Sequence, residues 1–273
     1  MKKFSTIIIL LLSYSANAQV YTQIGARSNA LGNASMSITD VWSVYNNPGA
    51  FGNLEQSAIG ASYENRFLLA ELSTQTFVAG LHTEKSGNFG IHFQQYGFNL
   101  YREMQGGLSY GMKFYDNFSG GISLNYHRIA LGENYGSKNT FSAGLGLLYS
   151  LNDLLSFSMR VNNLNRAKLA PAEDERLPTT FCLGVMYSFS EKAFWTIEAE
   201  KDLVHPLNIK SGIEVQAHEI FDVRLGINSY PFQASFGFGL KLSNFYLDMA
   251  SMWHAQLGLS PSAGIHYRFD KKK

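Results

Sequence analysis

From residue 57 to the end, the chain alternates apolar with polar or small residues in one short segment after another. Phe221, Val223, Leu225 and Ile227 take one parity, and Asp222, Arg224, Gly226 and Asn228 take the other. Phe236, Phe238, Leu240 and Leu242 stand opposite Ser235, Gly237, Gly239 and Lys241 in the same way. The pattern repeats through Phe181–Phe189 and through Leu155–Val161. Successive side chains of a strand point to opposite faces, so each segment builds one apolar and one polar sheet face.

Fourteen such segments can be counted, approximately 57–65, 73–83, 88–97, 106–115, 119–129, 140–150, 154–163, 180–189, 193–201, 208–217, 220–229, 233–242, 245–254 and 261–269. An even number of strands, each about ten residues long, is what a single-chain antiparallel transmembrane β-barrel requires. The even-numbered connections read as short turns: Glu84–Gly87, Asp116-Asn117, Asn152-Asp153, Glu191-Lys192, His218-Glu219 and Ser243-Asn244. The odd-numbered ones are mostly longer. Leu164–Thr179, with Pro171, Pro178 and Glu173-Asp174-Glu175-Arg176, reads as a solvated external loop. This sorting of connections distinguishes a membrane barrel from a soluble sandwich.

Composition supports the barrel. Charged residues make up 16% of the 273 residues, below the roughly 25% of ordinary soluble domains. A chain so poor in charge and so rich in Gly, Phe and Tyr is not disordered. One cysteine leaves no internal disulfide framework and no CxxC site. A formal charge of +1 suggests no nucleic-acid partner.

The first residues read as a secretory leader. Lys2 and Lys3 precede the apolar run Phe4–Leu12, and Ala16-Asn17-Ala18 supplies a cleavage site before Gln19. The apolar run is too short to span a bilayer. The domains expected are a cleaved leader at 1–18, an N-terminal plug or hatch at 19–56, and an outer-membrane barrel at 57–273. Both ends of the mature chain are expected on the periplasmic side. The last strand ends Tyr267-Arg268-Phe269, similar to the aromatic terminal strand of outer-membrane barrels, although Asp270-Lys271-Lys272-Lys273 follow it.

The barrel's inner face is expected to carry the charges Glu198, Glu200, Lys210, Glu214, Asp222, Arg224, Lys241, Asp248 and Arg268, all of polar parity. Their desolvation would be costly on the lipid side. The simplest role for them is to pair between strands and hold the wall together, and an ion or substrate path is the alternative. Gly184, Gly212, Gly226, Gly237 and Gly239 leave room inside or relieve curvature. Tyr63, Phe114, Tyr115, Tyr126, Tyr149, Tyr187, Trp195, Tyr230 and Trp253 suit interfacial girdles facing outer-membrane lipid.

Residues 19–56 do not alternate. They carry Gly25-Ala26-Arg27, Leu31-Gly32-Asn33, Asp40 and Asn47-Pro48-Gly49-Ala50, with Pro48-Gly49 as a turn signal. Folding into the barrel mouth and trailing as an unplaced tail are both open to such a segment. These motifs resemble the N-terminal signature of the PorV/PorQ family of Bacteroidetes outer-membrane proteins. That family is distantly similar to FadL-type transporters of hydrophobic compounds, whose members carry a related Asn-Pro-Ala-Gly stretch. Two departures stand out: the order here is Pro48-Gly49-Ala50, and Asn33 stands where a second Gly is common. The resemblance implies a fourteen-stranded barrel with an N-terminal plug and a role around type IX secretion. Secretion components or secreted cargo would then be its partners. A FadL-like channel for hydrophobic small molecules is the competing reading.

No GxSxG, HExxH or GxxxxGK[ST] motif anchors a hydrolase, zinc-protease or nucleotide reading. Neither catalytic residues, a cofactor nor a metal site is expected. The seven histidines are scattered, and Glu198 with Glu200 reads as lumen wall rather than a catalytic carboxylate pair. Cys182 reads as a small filler. A lipid-modifying barrel enzyme is the least favoured alternative.

Overall fold

The computed structural model of the chain describes residues 22–132, 136–170 and 175–270. The expected leader with its cleavage site after Ala18, residues 19–21 of the N-terminal segment, the charges Glu173 and Asp174, and Lys271–Lys273 lie outside the described residues.

Fourteen antiparallel strands close into one barrel. In chain order they are β1 (Ala58–Asn65), β2 (Ser73–Leu81), β3 (Asn88–Phe98), β4 (Tyr101–Tyr115), β5 (Phe118–Leu131), β6 (Ser137–Ser150) and β7 (Leu155–Asn162). After β8 (Lys168–Ala170) and β9 (Glu175–Arg176), which form a separate ribbon, come β10 (Thr180–Ser190), β11 (Ala193–Asp202), β12 (Asn208–His218), β13 (Phe221–Ser229), β14 (Phe232–Leu242), β15 (Phe245–His254) and β16 (Gly258–Arg268). The seam is β1 on β16, in register from Ala58↔Arg268 to Glu64↔Ser262. Each barrel strand is paired on both sides, so no edge offers unpaired N–H or C=O groups to lipid.

The alternating parities sort as the lipid–lumen division demands. Phe236 and Phe238 are exposed on the outside, whereas Ser235 between the same neighbours is buried inside. All nine girdle aromatics named above are exposed. Among the described residues no helix is long and apolar enough to cross a membrane.

The barrel has a near end, where β1 begins and β16 stops, and a far end, where β1 turns into β2. At the near end the connections are short, as Asp116-Asn117, Glu191-Lys192 and Ser243-Asn244 illustrate. The far end departs from expectation between Phe98 and Gln105, read as a connection. Only Asn99-Leu100 turns there, and β4, β5 and β6 run 15, 14 and 14 residues, raising one side of the rim. Alternation fails there because both faces are wet. Outward residues such as Arg102, Arg128 and Asn139 follow the apolar band, whose upper edge is Tyr126 bonded to Asn139 at 2.8 Å. Backbone pairing continues where the binary pattern has stopped.

The connection from Asn163 to Thr179 is also less solvated than expected. Ala167, Leu169 and Leu177 bury together against Ile129, and the Asn163 amide donates to the Leu177 carbonyl at 2.7 Å.

Residues 22–56 lie inside the barrel. They form three short helices, α1 (Ala26–Ala30), α2 (Ser43–Asn46) and α3 (Pro48–Phe51), and most of their side chains are buried. Thr22 is at the far end, where its hydroxyl accepts from Arg66 at 3.1 Å. Phe269, by contrast, donates its N–H to Ser57 at the near end. The described ends of the chain, Thr22 and Asp270, therefore sit at opposite ends of the barrel. The inner segment enters at the far end at Thr22 and leaves at the near end at Ser57, doubling back between them, so that Arg27 lies toward the near end and Tyr45 toward the far end.

Leu225 is 61% exposed on the outer face of β13. Leu225→Arg should lower folding stability in phospholipid by about 2–4 kcal/mol if the site is near the bilayer midplane, read from denaturant-induced unfolding in vesicles. An unchanged midpoint would show that this face does not meet lipid.

Candidate functional site

The inner segment seats itself by replacing wall side chains with backbone. Gly32 has φ +65°, and a Cβ there would come within 2.6 Å of the Ile227 backbone. Gly49 lies equally close to Leu147. Across the gap, Gly212 and Gly226 make room for Leu31, and Gly111 and Gly121 for the Pro48 carbonyl. Small residues on both sides let two backbones approach where side chains would hold them apart. Gly25 packs on the Trp42 indole, and Ala26 and Ala30 bury against Ala250.

Asn47 caps α3. Its Oδ1 accepts from Gly49 N at 2.9 Å, and its Nδ2 donates to the Met36 carbonyl at 2.9 Å. With Pro48 at the first helical position, this four-residue helix starts in the preferred way.

Arg27 and Asp40, thirteen residues apart, meet through one guanidinium. Arg27 donates from Nε and Nη2 to Glu214 at 2.8 and 2.7 Å, and from Nη1 to Asp40 at 3.1 Å. Glu214 also accepts from Arg224 Nε at 2.6 Å. Arg224 reaches Asp248 at 2.6 Å and Asp222 at 3.4 Å, and Lys241 donates to Asp222 at 2.9 Å. Arg224 on β13 spans past β14 to Asp248 on β15 because Gly239 stands between. A Cβ there would sit 2.6 Å from its Nη2. One network thus ties the inner segment to four strands.

Glu200 and Lys210 pair apart from it at 2.9 Å, with the Cys182 thiol 3.3 Å from Glu200. Glu198 meets no cation at bonding distance among the described residues. It accepts from Gln23 Nε2 at 2.7 Å and Met36 N at 2.5 Å, holding the inner segment by neutral donors. Glu198 and Glu200 therefore serve separate partners. Arg268 stacks on Tyr246, its guanidinium carbon 4.3 Å from the ring centre.

Other anchors carry no motif. Asn88 Nδ2 donates to the Phe51 and Leu54 carbonyls at 2.8 and 2.9 Å, and Arg160 donates to the Asn46 carbonyl. Asn46 joins Ile24, Ser28 and Ser35 within the segment. The inward parity of Asn88 and Arg160 was legible, but their target was not.

Above the inner segment, at the far end, lies a cavity of about 140 Å³. Thr22 and Tyr45 of the segment floor it. Tyr96, Ile129 and Leu177 give it apolar surface, and Gln94, Asn125 and His127 give it neutral hydrogen-bonding groups. His127 Nε2 lies 2.8 Å from Ser142 Oγ. Arg66 and Glu64 stand at its rim, paired at 3.1 Å. Burial works against the Arg66 charge, but Glu64 holds its pKa above the ordinary value. Among the described residues, no three His, Cys, Asp or Glu side chains gather as a metal site would need.

Arg27→Ala would leave Glu214 and Asp40 short of a buried partner, at a cost of about 3–5 kcal/mol. The expected outcome is an inner segment that a protease cuts in the folded barrel, while the wild-type segment resists. Equal resistance would show that the network does not hold it.

No family model matches the sequence, and no curated protein matches it. Solved structures do match in fold. A FadL homologue of Pseudomonas aeruginosa aligns with a TM-score of 0.67 at 12% identity, covering 92% of this chain and 99% of that one. The toluene transporter TodX of Pseudomonas putida aligns with a TM-score of 0.69 at 11% identity over the same shares. The PorV/PorQ resemblance finds no support among these comparisons. What they share with this closed fourteen-stranded barrel is the fold.

Proposed function

We propose that the chain is an outer-membrane channel for small hydrophobic molecules, with residues 22–56 as its hatch. The observation that carries this reading is the position of the inner segment, which divides the lumen into a far-end cavity and a near-end cavity. The likeness in fold to a toluene transporter supports it. In this reading the far end faces the medium and the near end the periplasm. A hydrophobic molecule first rests among Tyr45, Tyr96, Ile129 and Leu177, where burial of apolar surface favours it by about 25 cal/mol per Å². Onward passage requires the hatch to shift, because the inner segment occupies the lumen below. Gln94, Asn125 and His127 beside this surface supply the few hydrogen-bonding groups that orient a bound molecule. The secretion role implied by the motif resemblance has no structural observation of its own.

A lock tests the hatch. A Cβ on Gly264 would stand 3.6 Å from Ala26 Cβ, so Ala26→Cys with Gly264→Cys, in a Cys182→Ser background, should form a disulfide that fixes α1 to β16. Cells carrying the unlocked barrel should take up radiolabelled toluene several-fold faster than cells without it. Oxidation should bring the locked variant to the background rate, and a reductant should restore it. Uptake equal to background in the unlocked protein would overturn the channel reading, and uptake indifferent to the lock would overturn the hatch.

A further inference from the structure

A second cavity, of about 210 Å³, lies at the near end between the inner segment and β13–β16. Arg27, Arg224, Lys241 and Arg268 line it, together with Asp222, Asp248, His266 and Tyr246. Three of its four cations are already committed. Arg27 binds Glu214 and Asp40, Arg224 binds Glu214, Asp248 and Asp222, and Lys241 binds Asp222. Arg268 has no carboxylate partner among the described residues. Its guanidinium carbon lies 4.3 Å from the Tyr246 ring centre, a contact that engages none of its N–H donors in a hydrogen bond. Lys241 is 32% exposed and marks the opening toward the near end.

Two other lining side chains are buried and incompletely bonded. Asp248 gives Oδ1 to Arg224, while its Oδ2 has no hydrogen-bond partner. Neither ring nitrogen of His266 has one. His266 is packed between Tyr246, stacked at 4.5 Å, and Trp42, edge-on at 6.5 Å, with Asp248 Oδ2 3.9 Å from Nδ1. Buried polar atoms in native proteins are nearly always satisfied, so the chemistry of these orphans describes what fits between them.

Arg268 requires an anionic acceptor, shaped for a planar fork. Asp248 Oδ2 requires a donor. A simple cation would satisfy Asp248 and be repelled by Arg268 and Lys241. A fully deprotonated oxyanion would satisfy Arg268 and be repelled by Asp248. A phosphate that keeps a proton answers both, with charged oxygens toward Arg268 and its own P–OH toward Asp248 or a His266 nitrogen. We infer that the near-end cavity is a binding site for phosphate, as the free ion or a small phosphate monoester. The cavity has room for such an ion and a few waters. This assignment is independent of what crosses the barrel.

The purified full chain in neutral detergent tests it by equilibrium dialysis against radiolabelled inorganic phosphate near neutral pH. Saturable binding of one phosphate per chain is expected, with sulfate, which carries no proton there, competing at least tenfold more weakly. Glycerol 3-phosphate as competitor separates the sources. Displacement at equal concentration marks a site open to monoesters, and failure to displace marks one closed around the free ion, both within the assignment. Arg268→Gln should weaken binding tenfold or more and Arg268→Lys by less, whereas Arg66→Gln at the opposite rim should leave it unchanged. Heat-modified gel migration reports whether each variant has folded. Absence of saturable binding to the wild type, equal competition by sulfate, or equal binding by folded Arg268→Gln would each overturn the assignment.

Discussion

In hydrocarbon a backbone N–H or C=O has no water to turn to, and everything else in this molecule depends on how that demand is met. The chain meets it by closing the sheet, β1 on β16, so that each barrel strand has two neighbours. Closure separates two environments. Outside, Leu225, Phe236 and Phe238 meet lipid. Inside, Glu214, Asp222, Arg224 and Asp248 find each other at 2.6 to 3.4 Å, where the surrounding wall keeps their attraction from being screened. Buried pairs of this kind contribute little net stability, yet removing one member leaves a charge stranded. Such a network fixes geometry more than it adds stability, and here the geometry is the docking of the inner segment.

The lumen wall is adapted to a backbone rather than to water. Glycines on β4, β5, β12 and β13 face Leu31, Gly32 and Pro48 of the inner segment, and the two surfaces meet with few side chains between them. Charge then orients what the close fit positions. Arg27 of α1 bridges Asp40 of its own segment and Glu214 of the wall, so the segment's internal fold and its docking share one side chain. Division of the lumen follows. The far-end cavity mixes apolar surface and neutral polar groups with Arg66 and Glu103, and the near-end cavity is mainly ionic. Two compartments of such different chemistry, separated by one segment, suit a channel in which entry and exit are distinct events.

Strand number and facing were legible in the residues, because lipid imposes a period of two wherever it touches the wall. Where lipid ends, that signal ends with it. Arg102, Arg128 and Asn139 break the alternation, so the raised rim of β4–β6 was read as connections although the strands continue. Leu169 and Leu177, in a segment marked by charges and prolines, gave no period to reveal that they bury together. The motif residues of the inner segment were visible as small residues and as an Arg and an Asp, but their spacing could not reveal that Arg27 meets Asp40.

The sequence by itself determined a fourteen-stranded membrane barrel, its lipid face, its charged interior and a separate N-terminal segment, since each follows from local composition or a fixed side-chain period. Only the tertiary structure decided that the described ends lie at opposite rims, that the inner segment threads the lumen between two cavities, and that Arg224 serves three carboxylates while Arg268 serves none among the described residues. These are relations between residues far apart in the chain. They depend on barrel closure and on which glycines face which backbone, and no local pattern encodes them.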